Sequence, residues 1–181
     1  MGTLAVDNIQ HTDGSSAVTL NNATITAGTI AGTITGTLNS GASINWGGCR
    51  VWRSGTFTVA STTTTIVPYQ TVAYDNLTEY NTSTFLYTPQ YAGTYLITAM
   101  LQWIDMGDQK DMLLYIYKNS TNMGLVDHKS SSGNYESVFV STIFKAVVGD
   151  TIHAKCRHSH GSNRDIGSGE DVSHMCIQRI A

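Results

Sequence analysis

Charge is what this chain has least of. Asp, Glu, Lys and Arg make up 13% of its 181 residues, about half the share of an ordinary soluble domain. Cysteine is scarce too: Cys49, Cys156 and Cys176 form an odd set with no CxxC pair. That excludes zinc-ribbon and CxxC redox chemistry and argues against an oxidised disulfide scaffold. Cys156 and Cys176 both fall in strand-like runs, where a free thiol serves as a small buried hydrophobe; a bridge between them is the alternative. No apolar stretch approaches 18 residues, so no membrane insertion is expected. The opening MGTLAVDNIQ has neither the basic residues nor the apolar run of a secretory signal. Ten basic against 13 acidic residues leave a net charge of -3, which argues against nucleic acid as the main partner. Catalytic motifs are missing as well: there is no GxGxxG or Walker spacing, no GxSxG and no HExxH. Asp105, Asp108 and Asp111 recur at three-residue intervals but lack the ligand order and closing Glu of an EF-hand, so they read as a solvated loop. The expectation is a protein without enzymatic activity and without a cofactor.

What the chain has instead is Thr, at 25 positions, with 17 Ser and 17 Gly, together a third of the residues. These are poor helix formers, and Thr favours strands. The 41% of apolar residues excludes wholesale disorder. The composition therefore points to a β-rich protein.

A break near residue 40 divides the chain into three segments. Residues 1–21 carry the alternating run Leu4-Ala5-Val6-Asp7-Asn8-Ile9, the turn-like Asp13-Gly14-Ser15-Ser16 and a second short run, and read as an attachment or trimerisation segment. Residues 22–48 contain GTIA, GTIT and GTLN, with Gly28, Gly32 and Gly36 at four-residue spacing and an apolar column Ile25, Ile30, Ile34 and Leu38. Helical spacing fits too, but every tetrad carries a Gly and a β-branched Thr, and no Glu, Lys or Arg supports an exposed helix. One chain here has too little side chain to bury its own backbone. Three chains about an axis would bury the Ile column, so an extended trimeric shaft is expected, with a flexible linker as the alternative. Trp46, in NWGG, marks the junction with residues 49–181.

From Cys49 onward the chain reads as about eight to ten strands with turn signals between them: 50–60, 62–69, 71–75, 84–88, 93–103, 111–118, 124–129, 136–147, 151–158 and 172–180. Short strands with no helical interruption indicate an all-β sandwich or jelly roll.

Three of these stretches resemble a known family. YDNLTEYNTSTFLYTPQYAGTYLITAMLQW, with Tyr74, Asn81, Phe85, Pro89, Gly93 and Tyr95, is similar to the signature stretch of the complement C1q-like globular domain, one of the tumour necrosis factor (TNF)-like jelly rolls. LLYIYKNSTNMG, ending its strand at Lys118-Asn119, and VFVSTIFKAVVGDTIHAKC, with Gly149-Asp150 at a turn, follow in the family's order. The resemblance covers about residues 50–181, departing at Ser173–Ile180, where the family closes on Phe-Ser-Gly. It implies a homotrimer packed about a threefold axis, with no catalysis. The opening VDNIQHTDGSSAVTLNNATI resembles N-terminal segments of bacteriophage tail-fibre and virion-appendage proteins.

The lead reading is thus a trimeric phage fibre or receptor-binding protein on the virion. Residues 1–40 would join it to other virion proteins, and its head would recognise a host cell-surface glycan or protein. A head fibre or capsid decoration protein is one alternative; a bacterial surface or spore-coat adhesin is another. Along the jelly-roll path, loops 104–110, 130–135 and 159–171 fall at the end opposite Gly149-Asp150. Gly-rich loops on a rigid scaffold are common binding sites. The candidate receptor-binding residues are Tyr135, His158, His160, Arg164, Asp165 and Glu170. His158 and His160 share one strand face by alternation. They read as solvated histidines, with a metal at the axis as the minority reading. Trp103 reads as core or trimer interface rather than a ligand platform.

Overall fold

The computed structural model describes residues 47–181, and what is said below refers to these. The shaft, the attachment segment, the axis residues Ile25, Ile30, Ile34 and Leu38, and Trp46 lie outside the described residues.

Thirteen strands follow one another with no helix between them. They are β1 (Gly48–Arg53), β2 (Phe57–Val59), β3 (Thr65–Ile66), β4 (Thr71–Asp75), β5 (Tyr80–Asn81), β6 (Leu86–Tyr87) and β7 (Gly93–Ile104). Then come β8 (Asp111–Lys118), β9 (Thr121–Lys129), β10 (Tyr135–Ala146), β11 (Ile152–His158), β12 (Arg164–Ile166) and β13 (Gly169–Arg179). The long runs stand where the alternation puts them. The run expected over 50–60 is instead broken at Ser54-Gly55-Thr56. The runs expected over 62–69 and 84–88 shrink to the two-residue strands β3 and β6, while the two-residue β5 and the three-residue β12, which lies inside the expected loop 159–171, are set by pairing partners rather than by local pattern.

Two sheets form. The first runs β2-β12-β7-β13-β1-β4, with β10 on the other edge of β7; the second runs β5-β6-β11-β8-β9, with β3 also on β11. All pairings are antiparallel. Strand β7 holds the first sheet together. It pairs with β10 over its whole length, from Tyr135↔Ile104 to Ala146↔Gly93, and with β13 from His174↔Met100 to Arg179↔Tyr95. Its inward side chains Tyr95, Ile97, Ala99, Leu101 and Trp103 are all fully buried. They meet Met112, Leu114, Ile116, Ile152, Ala154 and Cys156 from the second sheet. Each large apolar side chain buried this way contributes about 1.5–3 kcal/mol.

The three motif stretches have physical reasons. A Cβ on Gly93 would lie 2.5 Å from Arg179 Nε, so a side chain there would collide with the last strand. Tyr95 beneath it donates to the Tyr91 carbonyl at 2.7 Å and meets the Tyr87 ring edge-on. Asn119, at φ 55°, accepts from Thr151 N at 2.8 Å and donates to Asp150 Oδ1 at 2.7 Å. Asp150 Oδ2 accepts from Val147 N at 3.0 Å, which holds this carboxyl below its usual range. Lys118-Asn119 and Gly149-Asp150 are therefore one clasp at one end of the sandwich.

Cys156 faces the core, and burial pushes its thiol up to about 12. Cys176 lies on the outer face of the first sheet, where Arg50 Nη1 donates to its Sγ at 3.2 Å. The two are free and on different sheets, so the bridge considered above is absent and Cys156 serves as a core hydrophobe. Arg53 is 3% exposed and donates to the carbonyls of Gly55, Pro68 and Thr56, tying the broken 53–57 segment to the strand beyond it.

His153 is buried with neither ring nitrogen bonded, and burial pushes its pKa down to about 4. A depressed histidine contributes nothing above pH 6.5 and costs stability as pH falls from there toward 4. Chemical denaturation at pH 7 and pH 4.5 is expected to show the wild-type chain losing more stability than His153→Phe, by on the order of 2 kcal/mol. Equal losses in the two proteins would show that the ring charges freely in the fold.

Candidate functional site

The three expected loops do converge at the end opposite the Asn119–Asp150 clasp. Asp105 N donates to Asn134 O at 2.9 Å, and Gln109 N to Ser130 O at 2.8 Å. Ser130, 1% exposed, donates through Oγ to Gly107 O at 2.6 Å and accepts from Lys110 N at 2.9 Å. Ser159 Oγ accepts from Asp111 N at 2.8 Å, which brings in the third loop. The tight path over 104–110 needs left-handed backbone at Asp105, Gly107 and Gln109, and Gly107 supplies the one position where this is free of steric cost.

Arg164 ties the third loop to the first. Its Nε donates to Asp105 O at 2.6 Å, its Nη1 to Asn163 O at 2.7 Å, and its Nη2 meets His160 Nε2. Desolvation first, and then the Arg164 charge, hold the His160 ring below its ordinary pKa. Asp165 accepts from Thr58 Oγ1 at 2.5 Å across the β12–β2 pair. Thr58, Ile104, Asp105, Asn163, Arg164 and Asp165 line a shallow cavity of about 300 Å³. Tyr135 opens β10 beside it, paired with Ile104 and 66% exposed.

Two of the candidate residues are placed elsewhere. His158 is fully buried: its ring meets Trp103 edge-on at 5.0 Å, Nε2 donates to Val59 O at 3.0 Å, and Nδ1 accepts from His160 N at 3.2 Å. Burial lowers its pKa. It is a core histidine and presents nothing to a receptor. Alternation puts His158 inward at the end of β11, and the strand ends there, so His160 does not share its face. No joint imidazole pair exists to hold a metal. Glu170 lies in the four-residue bulge of β13 opposite Trp52-Arg53, which swings it onto the outer face of the first sheet. There its Oε1 pairs with Arg50 Nε at 2.8 Å and its carbonyl accepts from Arg50 Nη2 at 3.1 Å. The loop cluster thus joins Tyr135, His160, Arg164 and Asp165. Trp103 is core, as expected.

Sequence reasoning missed the outer face of the first sheet. Successive cross-strand rows there are Ile143–Leu96–Gln178, Ser141–Thr98–Cys176–Arg50–Tyr74 and Phe139–Met100–His174–Trp52. Phe139 is 54% exposed and Ile143 59%. The signal was present in VFVSTIF: apolar residues stand on both faces of β10, where a strand with one solvated face would alternate.

No family model and no curated protein matches the chain. Solved structures do. Eiger TNF from S. frugiperda superposes with a TM-score of 0.59 at 14% identity, over 76% of this chain and 94% of that one. Murine APRIL, crystallised at pH 5.0, superposes at 0.58 with 12% identity, over 75% of this chain and 99% of that one. The described residues therefore have the TNF-type jelly-roll fold. The likeness establishes the fold alone.

If Arg164 is a brace, Arg164→Ala should speed amide hydrogen exchange across Asp105–Lys110 and Asn163. The cost in global stability should be modest, about 1–2 kcal/mol. Arg164→Lys should not restore protection, because a point ammonium cannot reach three acceptors spread about one plane. Unchanged exchange in the alanine variant would mean the loops hold themselves.

Proposed function

We propose that the chain is a non-enzymatic, homotrimeric virion appendage, a phage fibre-type protein whose jelly-roll head recognises a host cell-surface glycan or protein. The observation that carries the trimer is the outer face of the first sheet. A row such as Phe139–Met100–His174–Trp52 is largely apolar on a face that a lone protomer leaves to water. Exposed apolar patches of this extent mark interaction surfaces. Closed symmetry then lets copies cover one another. The fold supports the same reading, as does the Gly-Thr-Ile repeat that precedes it.

The fibre context rests on the opening VDNIQHTDGSSAVTLNNATI, which resembles virion attachment segments; residues 1–40 are assigned to attachment on that ground. In this reading they join other virion proteins, and the protein is assembled in the bacterial cytoplasm and acts on the virion surface. The braced loops holding Tyr135, His160, Arg164 and Asp165 lie at the end of the head away from Gly47, where the described chain begins, and are the contact region proposed for the host. Threefold repetition would multiply weak contacts into avidity.

Light scattering of the full chain should give a mass of roughly 59 kDa, three copies of 19.5 kDa. The double variant Phe139→Asp with Ile143→Asp should fall to the single-chain mass with its β-sheet circular dichroism kept. Deleting residues 1–40 should leave a head that binds host cells and no longer joins virions. A monomeric wild-type chain, or host binding that departs with residues 1–40, would overturn the assignment.

A further inference from the structure

The outer face of the second sheet belongs neither to the braced loops nor to the apolar face assigned to the trimer. Its residues follow from register. Tyr117 pairs with His153, Tyr115 with Lys155, and Leu113 with Arg157, while β9 adds Leu125 beside Tyr115. Tyr115 and Tyr117 are half-buried with ring centroids 6.0 Å apart. Tyr117 stacks on His153 at 5.6 Å with 16° between planes, and Lys155 Nζ lies 4.3 Å from the Tyr117 centroid. Leu125 is 48% exposed.

Two features of this face stand out. The buried, unbonded His153 ring is a flat plinth that fixes the Tyr117 ring in place, so the platform is ordered before anything binds. The second feature is charge. Ion pairs among the described residues join Arg50 to Glu170, Lys118 to Asp150 and Lys129 to Asp111; neither Lys155 nor Arg157 is in one. Arg157 Nε donates to the Thr62 carbonyl at 3.1 Å, which orients the guanidinium without neutralising it. In a chain with ten basic residues against 13 acidic, two cations outside the ion pairs beside two tyrosines are a local excess. Asp127, beyond Leu113 from Arg157, marks the edge of the positive strip.

We infer that this face binds an acidic polysaccharide, with sugar rings lying on Tyr115 and its neighbour Leu125 and the anionic groups paired to Lys155 and Arg157. Tyrosine offers an apolar ring and a polar tip, which suits the mixed faces of a sugar. Cations beside it select carboxylate, sulfate or phosphodiester groups, with guanidinium able to take them two-pronged. The inference rests on the host-recognition reading and deepens it by naming a ligand class and adding a contact on the sheet to the one proposed on the loops.

The full-length protein should be tested on immobilised acidic glycans, each beside a neutral counterpart. Suitable pairs are polygalacturonate and its methyl ester, sialylated and desialylated oligosaccharides, and dextran sulfate and dextran. At least one acidic member should be retained tenfold or more over its neutral partner, weakening as salt rises. Lys155→Gln with Arg157→Gln, and separately Tyr115→Ser, should lower that retention tenfold or more at unchanged mass and melting temperature. Lys155→Arg should keep it. Equal retention of acidic and neutral members, or wild-type retention by the Lys155→Gln, Arg157→Gln variant, would overturn the inference. So would host attachment that survives periodate and is lost to protease, which points to a protein receptor. If that variant still attaches to host cells as the wild type does, the sheet inference falls and the attachment reading stands. If the wild type attaches to no cell, the attachment reading falls, while glycan retention still decides the sheet.

Discussion

The twelve-residue ladder between β7 and β10 is the constraint on which the rest of the fold depends. Once Gly93–Ile104 is fixed in register with Tyr135–Ala146, period-two alternation decides every side chain of both strands. Tyr95 through Trp103 go inward to build the core, and Leu96 through Ile104 go outward with Phe139 and Ile143. A one-residue slip would exchange the two sets. The opposite edge of β7 takes β13 and then β12, so the same strand also positions Arg164 and, through Trp103, the buried His158.

The two ends of the sandwich use different physics. At one, side chains substitute for missing ladder bonds: Asn119 and Asp150 satisfy each other and the amides of Val147 and Thr151. At the other, three loops share backbone bonds, and a single guanidinium ties two of them, 104–110 and 159–171, together. An Arg engaged through Nε, Nη1 and Nη2 has little left for a ligand. It holds the shape of a surface whose exposed groups are others, Tyr135 among them. Binding surfaces commonly separate the residues that hold from the residues that touch.

The sandwich also has two outer faces of unlike character. One is apolar with an Arg50–Glu170 pair and a thiol set into it; the other is aromatic and cationic. A face of the first kind gains by being covered with a copy of itself. The second gains by staying open to a hydrated, charged ligand. That division fits a head whose copies meet on one sheet and whose environment meets the other.

Much of this was determined by the sequence alone. The long strands, the all-β class and the order of the three motif stretches followed from alternation and turn residues, which act over a few positions. Following the strand order along a jelly-roll path then put the three loops at one end. Other features were decided by tertiary structure, because they depend on partners far along the chain. Residues Arg164–Ile166 became a strand because β2 and Trp103 offered them an edge. His158 became core because Trp103 and the Val59 carbonyl lay beneath it, although its neighbours Ser159 and His160 read as polar loop. Glu170 left the loops because β13 bulges by four residues against Trp52-Arg53, a shift with no local mark. The two faces needed both sheets at once: a strand's alternation says which residues share a side, and only packing says which side meets water.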